Sequence, residues 1–343
     1  MAKSDSSMPN INPTSPISMP SAQVAWGAYL LSWAQIVRLP ALFAGPADIT
    51  LGYLGARYLT QEPTEPIKGA ALGAVCISSI CLHAAGMIWN DFFDRAEDAC
   101  TRPYRPLPSG RITVRSALSA GVLLLAIGLL AALLAGFLSQ RSAPAQIGTL
   151  LAMGAFAYNA LIKTTPLGPP VMGLCRWLNV LLGASLLTAA DPSVFVLATN
   201  IGLYVTGITW AARYEVGPVR RGTLIGSGSL ILFPGLAHLY VVGVDLWTGL
   251  SQGHFWDRSG ADVLQNLLQL LITMLWTSHL AYYWWRAWRS ACPDQVRRLV
   301  TVALRGSIVL SALLTALIVG PAGWLVLLLL PPAIVTGRWL YTS

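Results

Sequence analysis

Charge is scarce in this chain, and negative charge scarcer still. Of 343 residues only 10% are charged, with 14 Asp and Glu against 22 Lys and Arg. Soluble globular domains carry about 25% charged residues, so this scarcity excludes an ordinary soluble domain. With 55% hydrophobic residues and a mean hydropathy of +0.60, the composition is that of a polytopic membrane protein. Paired cysteines are missing too. Cys76, Cys81, Cys100, Cys175 and Cys292 show no ligand spacing, which leaves neither a zinc site nor a disulfide framework; three lie in or beside apolar segments and read as buried thiols. Residues 1–23 have no arginine and no compact apolar run, unlike a cleavable signal peptide; their Ser, Pro, Met and Asn predict a disordered cytoplasmic tail. The net charge of +8 does not indicate nucleic acid, because the basic residues bracket apolar segments and form no domain of their own.

What remains is apolar sequence, expected as one transmembrane domain over residues 24–343. At roughly 20 residues per crossing, it predicts an all-α bundle of nine to ten transmembrane helices. The first segment, within 27–58, is interrupted by Arg38, Pro40, Pro46 and Asp48. Such residues are tolerated at membrane depth only where they face protein or a water-filled cavity. Arg38 faces the central cavity on one reading and the interface on another. Further spans are expected over about 69–89, 114–138, 146–162, 170–189, 193–210, 223–243 and 262–286, with apolar stretches at 299–319 and 323–339 separated by Gly320 and Pro321. Alternation of these spans gathers Arg95, Arg102, Arg105, Arg111, Lys163, Arg213, Arg220 and Arg221 on one side. The excess of positive charge there predicts a cytoplasmic amino terminus and a cytoplasmic site, in a cell inner membrane.

The few acids are concentrated. Asp91, Asp94, Glu97 and Asp98 fall within eight positions, at the end of the second span. On a helix, Asp91, Asp94 and Asp98 lie within about 60° of one another, with Asn90 and Glu97 at the edge. Three carboxylates on one face repel unless a partner intervenes, and an all-oxygen set suits Mg²⁺ completed by substrate phosphates. A solvated acidic cap is the plainer reading. Arg102, Arg105 and Arg111 follow, interleaved with Pro103, Pro106 and Pro108, and Gly110 precedes the last of them. The prolines stiffen the turn, and each guanidinium is a planar fork suited to phosphate oxygens. Anchoring to anionic lipid would use the same residues.

Tyr158 and Lys163 end the fourth span, five positions apart, where Lys163 either neutralises a diphosphate or marks the membrane boundary. Arg176 and Asn179 share a face of the fifth span and must face the bundle interior and a partner. After the sixth span stand Arg213, a candidate phosphate grip, and Glu215, a weak metal candidate. His254 and Asp257 read as parts of a solvated loop, and the aromatics near Arg286 as an interfacial belt.

Asn90, Asp91, Asp94 and Asp98 resemble the NDxxDxxxD motif of the UbiA superfamily of intramembrane prenyltransferases, and Arg102 to Gly110 resemble the RPxRPLPSG run that follows it. Tyr158 and Lys163 are similar to that family's tyrosine and lysine after the fourth helix. The stretches Cys175–Gly183 and Ile208–Val216 resemble, more finely, the UbiA-like group called EboC. The resemblance implies a helical bundle around a cavity and Mg²⁺-dependent transfer of a prenyl group from an isoprenoid diphosphate to an acceptor. It assigns Asp91, Asp94, Asp98 and Lys163 to catalysis, the three aspartates to metal with Asn90 and Glu97 in support, and Arg38, Asn90, Arg102, Arg105 and Tyr158 to substrate. By their own positions Arg176, Asn179 and Arg213 join the substrate-binding candidates and Glu215 the metal candidates. Membrane lipid is the expected surrounding, and nucleic acid is not an expected partner. One departure stands out. Where the family carries a second aspartate-rich motif, this chain has Thr209, Arg213, Tyr214 and Glu215. That leaves open a non-catalytic isoprenoid binding or transport protein, or transfer of a phosphorylated sugar onto a prenyl phosphate.

Overall fold

A computed structural model describes residues 22–59, 68–187, 191–252 and 260–342. The tail expected over 1–23, apart from its last two residues, and the loop bearing His254 and Asp257 lie outside the described residues. Every described element is helical. Helices α1 (Ala22–Ile36), α2 (Leu39–Leu42) and α3 (Ala44–Leu59) are the pieces of the interrupted first segment. The break falls at Arg38, whose φ of 50° is left-handed, immediately before Leu39 and Pro40.

Then come α4 (Gly69–Phe93), the short α5 (Arg95–Thr101), α6 (Val114–Ser139) and α7 (Ala143–Ala157). A π-helical turn, Tyr158–Ile162, leads to α8 (Gly168–Ala184) and α9 (Pro192–Ala212). The chain continues through α10 (Arg221–Ser251), α11 (Gly260–Ser290), α12 (Pro293–Val319), a 3₁₀ stretch (Gly320–Leu329) and α13 (Leu330–Thr342). Among the described residues, six helical segments are long and apolar enough by themselves to cross a membrane. Segments such as α3 and α8, at 16 and 17 residues, fall short of that measure in length.

The helices close on themselves. From α6 each packs on the next through α7, α8, α9, α10, α11 and α12; α12 returns to α3, and α3 packs on α4 and α8. Close approach of α3 and α8 is permitted by glycine: a Cβ on Gly52 would collide with the Val180 carbonyl, and one on Gly183 with that of Ile49. Small residues at such crossings replace the hydrophobic drive that lipid removes. Leu123, Leu130, Leu133 and Phe137 of α6 stay exposed on the surface, as expected of a lipid-facing helix. A satellite cluster fixes the site end of the bundle. There Leu107 and Ile112, from the loop after α5, are buried with Ile36, Ile88 and Ala117.

Candidate functional site

The charged residues of α4, α5 and the following loop meet the end of the π turn. At Asp94 the α4 helix breaks for one residue, yet the Asp94 amide still donates to Asn90 O at 3.0 Å and the Asp98 amide to Asp94 O at 2.8 Å. The three aspartates therefore stay on successive turns, although not on one uninterrupted helix. Repulsion between them is relieved by basic side chains. Asp91 is buried, with Arg38 Nη2 at 3.6 Å and Arg105 Nη1 at 3.7 Å from its Oδ1. Arg105 donates to Asp98 Oδ2 at 2.6 Å, and Arg102 stands 4.0 Å from the other oxygen. Lys163 pairs with Asp94 and donates to Asn90 Oδ1 at 2.8 Å. Asn90 in turn donates to Asp94 at 3.2 Å and Asp91 at 3.4 Å.

Burial alone would loosen the Arg105 proton. The charges of Asp91, Asp98 and Asp94, with the hydrogen bond to Asp98, more than offset that and hold its pKa above the ordinary value. The loop that presents it is braced by Arg111, which donates to Tyr104 O at 2.6 Å and Ser109 Oγ at 3.1 Å, and Gly110 supplies the positive φ of 74° that turns the chain.

Lys163 reaches the cluster because its helix is locally underwound, with an extra residue in the turn. Its amide donates to Tyr158 O at 2.8 Å, the i to i−5 bond of a π turn. Asn159 clamps that turn to α4 through Gly86 O at 3.1 Å. Arg213 does not point at the aspartates; it donates to the carbonyl of Lys163 at 2.8 Å and also to that of Thr165, so it braces the lysine's backbone. Tyr158 is buried beside the turn. Glu215 makes no side-chain salt bridge among the described residues, but it senses the charges of Arg102, Arg38, Arg297 and Arg105, which puts it across the same basic mouth. Its burial pushes the carboxyl pKa up, and those arginines pull it part of the way back.

Arg176 and Asn179 stand apart from the cluster in a deeper polar layer. Arg176 Nη2 lies 2.7 Å from Asp48 Oδ2, Ser311 donates to Asp48 Oδ1 at 3.0 Å, and Asn179 bridges Ser79 Oγ at 2.7 Å and Gly45 O at 3.1 Å. Sequence reasoning demanded a partner for Arg176 without finding it. The signal was Asp48, the other charge at membrane depth.

An all-oxygen donor set is chemically suited to Mg²⁺. In the arrangement present, however, each carboxylate is matched to a cation, and among the described residues no three acidic, His or Cys side chains converge as a metal cage.

A helical membrane bundle with interleaved carboxylates, guanidiniums and an ammonium at one end of its spans is the class defined by this fold and site. The UbiA prenyltransferase family model matches residues 49–298, and the chain belongs to that family. Two solved structures share the fold. One, described as giving insights into digeranylgeranylglyceryl phosphate synthase in membranes, aligns at 17% identity over 85% of this chain and 98% of its own, with a TM-score of 0.52. The other, an apo UbiA homolog from Aeropyrum pernix K1, aligns at 18% identity over 80% of this chain and 96% of its own, with a TM-score of 0.53. Curated relatives named digeranylgeranylglyceryl phosphate synthase include that of Korarchaeum cryptofilum, 31% identical over 35% of this chain and 41% of its own. That of Methanothrix thermoacetophila is 34% identical over 44% of this chain and 52% of its own. This chain thus matches only about two fifths to half the length of those two relatives.

Proposed function

We propose that this protein transfers a prenyl group from an isoprenoid diphosphate to an acceptor within the membrane. The observation that carries the reading is the meeting of Arg38, Arg105 and Lys163 with Asp91, Asp94 and Asp98 at one end of an apolar bundle. A diphosphate competes for those three cations with the carboxylates they now neutralise. As its oxygens take up Arg105 and Lys163, the aspartates are released, and Asp91, Asp94 and Asp98, with Asn90 beside them and Glu215 across the mouth, would hold Mg²⁺. The ion supplies Lewis-acid stabilisation of the phosphate oxygens when bound. Arg38, Arg102, Arg105 and Lys163 stabilise the negative charge that grows on the leaving diphosphate as the allylic C–O bond breaks. The apolar helices keep water from the carbocation until the acceptor attacks it. Tyr158 supports the turn that aims Lys163, and Arg213 holds that turn in place.

The finer placement in the EboC group, supported by Cys175–Gly183 and Ile208–Val216, belongs to the same proposal. So do a count of nine to ten crossings, supported by the number of apolar stretches, and a cytoplasmic amino terminus in an inner membrane, supported by the distribution of basic residues.

One observation favours a second reading, non-catalytic binding or transport of an isoprenoid intermediate: Thr209, Arg213, Tyr214 and Glu215 stand where a second acidic motif is expected. The two are separated by incubating nanodisc-embedded protein with labelled prenyl diphosphates, Mg²⁺ and membrane extract. Transfer predicts Mg²⁺-dependent release of diphosphate with a labelled lipid product, both lost in Asp91→Asn. Stoichiometric binding without turnover decides for the carrier.

A further inference from the structure

Below the charged cluster, α4, α7 and α8 enclose a cavity of about 60 Å³. Its polar lining is Ser79, His83, Arg176 and Asn179, and Met87 and Leu151 are among its apolar lining residues. At a liquid volume of about 30 Å³ per water, it holds one small polar group. The charged cluster described above shares no residue with this lining, and polar groups at such depth are costly unless paired.

The wall is built, and it is electrically neutral. Ser79, Arg176 and Asn179 are 2%, 8% and 4% exposed. Arg176 is matched by Asp48, and it uses the same Nη2 for that pair and for the Ala44 carbonyl at 3.2 Å. Asn179 and Ser79 hold each other and the Gly45 backbone. On the side nearer the aspartates, Asn159 donates to the carbonyls of Gly86 and Ala155, both lining residues, while its buried Oδ1 has no partner. His83 precedes Asp91 by eight residues on α4, about 12 Å along the helix at 1.5 Å per residue. A group seated against the polar wall therefore lies about two to three helical turns from Asp91, the nearest aspartate of the diphosphate site along the chain.

We propose that this cavity seats the polar end of the acceptor, and that it selects a neutral hydroxyl- or carbonyl-bearing group over a carboxylate or phosphate. The inference rests on the prenyl-transfer reading for the word acceptor, but not for the selection itself. Donors from Arg176 and the His83 ring suit an uncharged oxygen. A full anion would add a negative charge to a pocket whose arginine is already neutralised by Asp48, deep among apolar helices. The isoprenoid tail is a poor occupant, because its carbons would leave these donors unpaired.

The test uses full-length protein in nanodiscs and a pair of photoreactive probes, a trifluoromethyl-diazirine phenol and the matching benzoate. Labelled peptides are mapped by mass spectrometry. The phenol is expected to label segments 79–87 and 172–179 saturably, at least fivefold more than the benzoate. Labelling should fall at least fivefold in His83→Phe and in Ala155→Leu, two fillers on opposite walls, each checked for wild-type thermal unfolding. Equal labelling by both probes, labelling elsewhere only, or labelling unchanged in whichever filler is folded overturns the proposal. Photolabelling needs no turnover, so a carrier without transferase activity would fail the release assay and could still pass this one.

Discussion

Single side chains at the charged cluster have two competing partners, and that gives substitutions a sign that depends on metal. Asp98→Asn frees Arg105 from its 2.6 Å bond. Without Mg²⁺ the variant should bind a prenyl diphosphate several-fold more tightly than wild type; with Mg²⁺ it should bind more weakly, and equilibrium binding of a non-hydrolysable thiolo-diphosphate under both conditions checks it. Arg105→Gln should lose affinity in both, by roughly 10- to 100-fold, the value of one charge-assisted hydrogen bond at about 1.5–3 kcal/mol. Glu215 carries a pH signature. Its folded pKa is raised by burial, so its ionisation opposes folding once pH rises above the unfolded glutamate value. Glu215→Gln is predicted to raise the Tm at neutral pH, with the gain disappearing below about pH 4, where the unfolded carboxyl is protonated too. A gain that persists unchanged at low pH would contradict the burial of that carboxyl.

At the scale of elements, the α3–α8 crossing joins close packing to a buried ion pair. Removing one partner of a buried pair costs about 3–5 kcal/mol, because the other charge is left uncompensated. Arg176→Met should therefore lower the unfolding temperature sharply, and adding Asp48→Asn should recover a large part of the loss; thermal unfolding in detergent measures both. The π turn shows what was legible in the sequence and what was not. Tyr158 and Lys163 were readable as candidates, but a five-residue spacing is off-face on an α-helix. The 158–163 hydrogen bond makes that spacing a register. The aspartate motif was legible because its periodicity is local. Its pairing with Arg38 and Lys163 was not, since those contacts join segments separated by tens of residues. Arg213 illustrates the same limit. Its charge suggested a phosphate grip, whereas the fold gives its hydrogen bonds to the backbone of Lys163 and Thr165.

For the molecule as a whole, composition alone announced a helical membrane protein, because sparse charge and long apolar stretches leave few other solutions. Crossing number was less legible. Helix breaks leave α3 and α8 only 16 and 17 residues long, and the 3₁₀ stretch from Gly320 to Leu329 merges the last two expected spans into one irregular run. Orientation has a direct check. Cys100 is exposed on α5 beside the cluster. A variant keeping Cys100 as its sole cysteine should react with a membrane-impermeant maleimide in inverted vesicles and stay unreacted in intact cells; the reverse pattern would invert the proposed topology.

The claim on which these expectations converge is that the zipped cluster of carboxylates and cations exists to exchange partners with a diphosphate. Binding of a thiolo-diphosphate isoprenoid to the nanodisc-embedded protein, compared with the isoprenoid alcohol of the same chain length, measures it most directly. The diphosphate should bind at least tenfold more tightly than the alcohol, with the difference removed in an Arg105→Gln, Lys163→Gln double variant. Equal affinity for the two ligands, or a preference that survives in that variant, would contradict it.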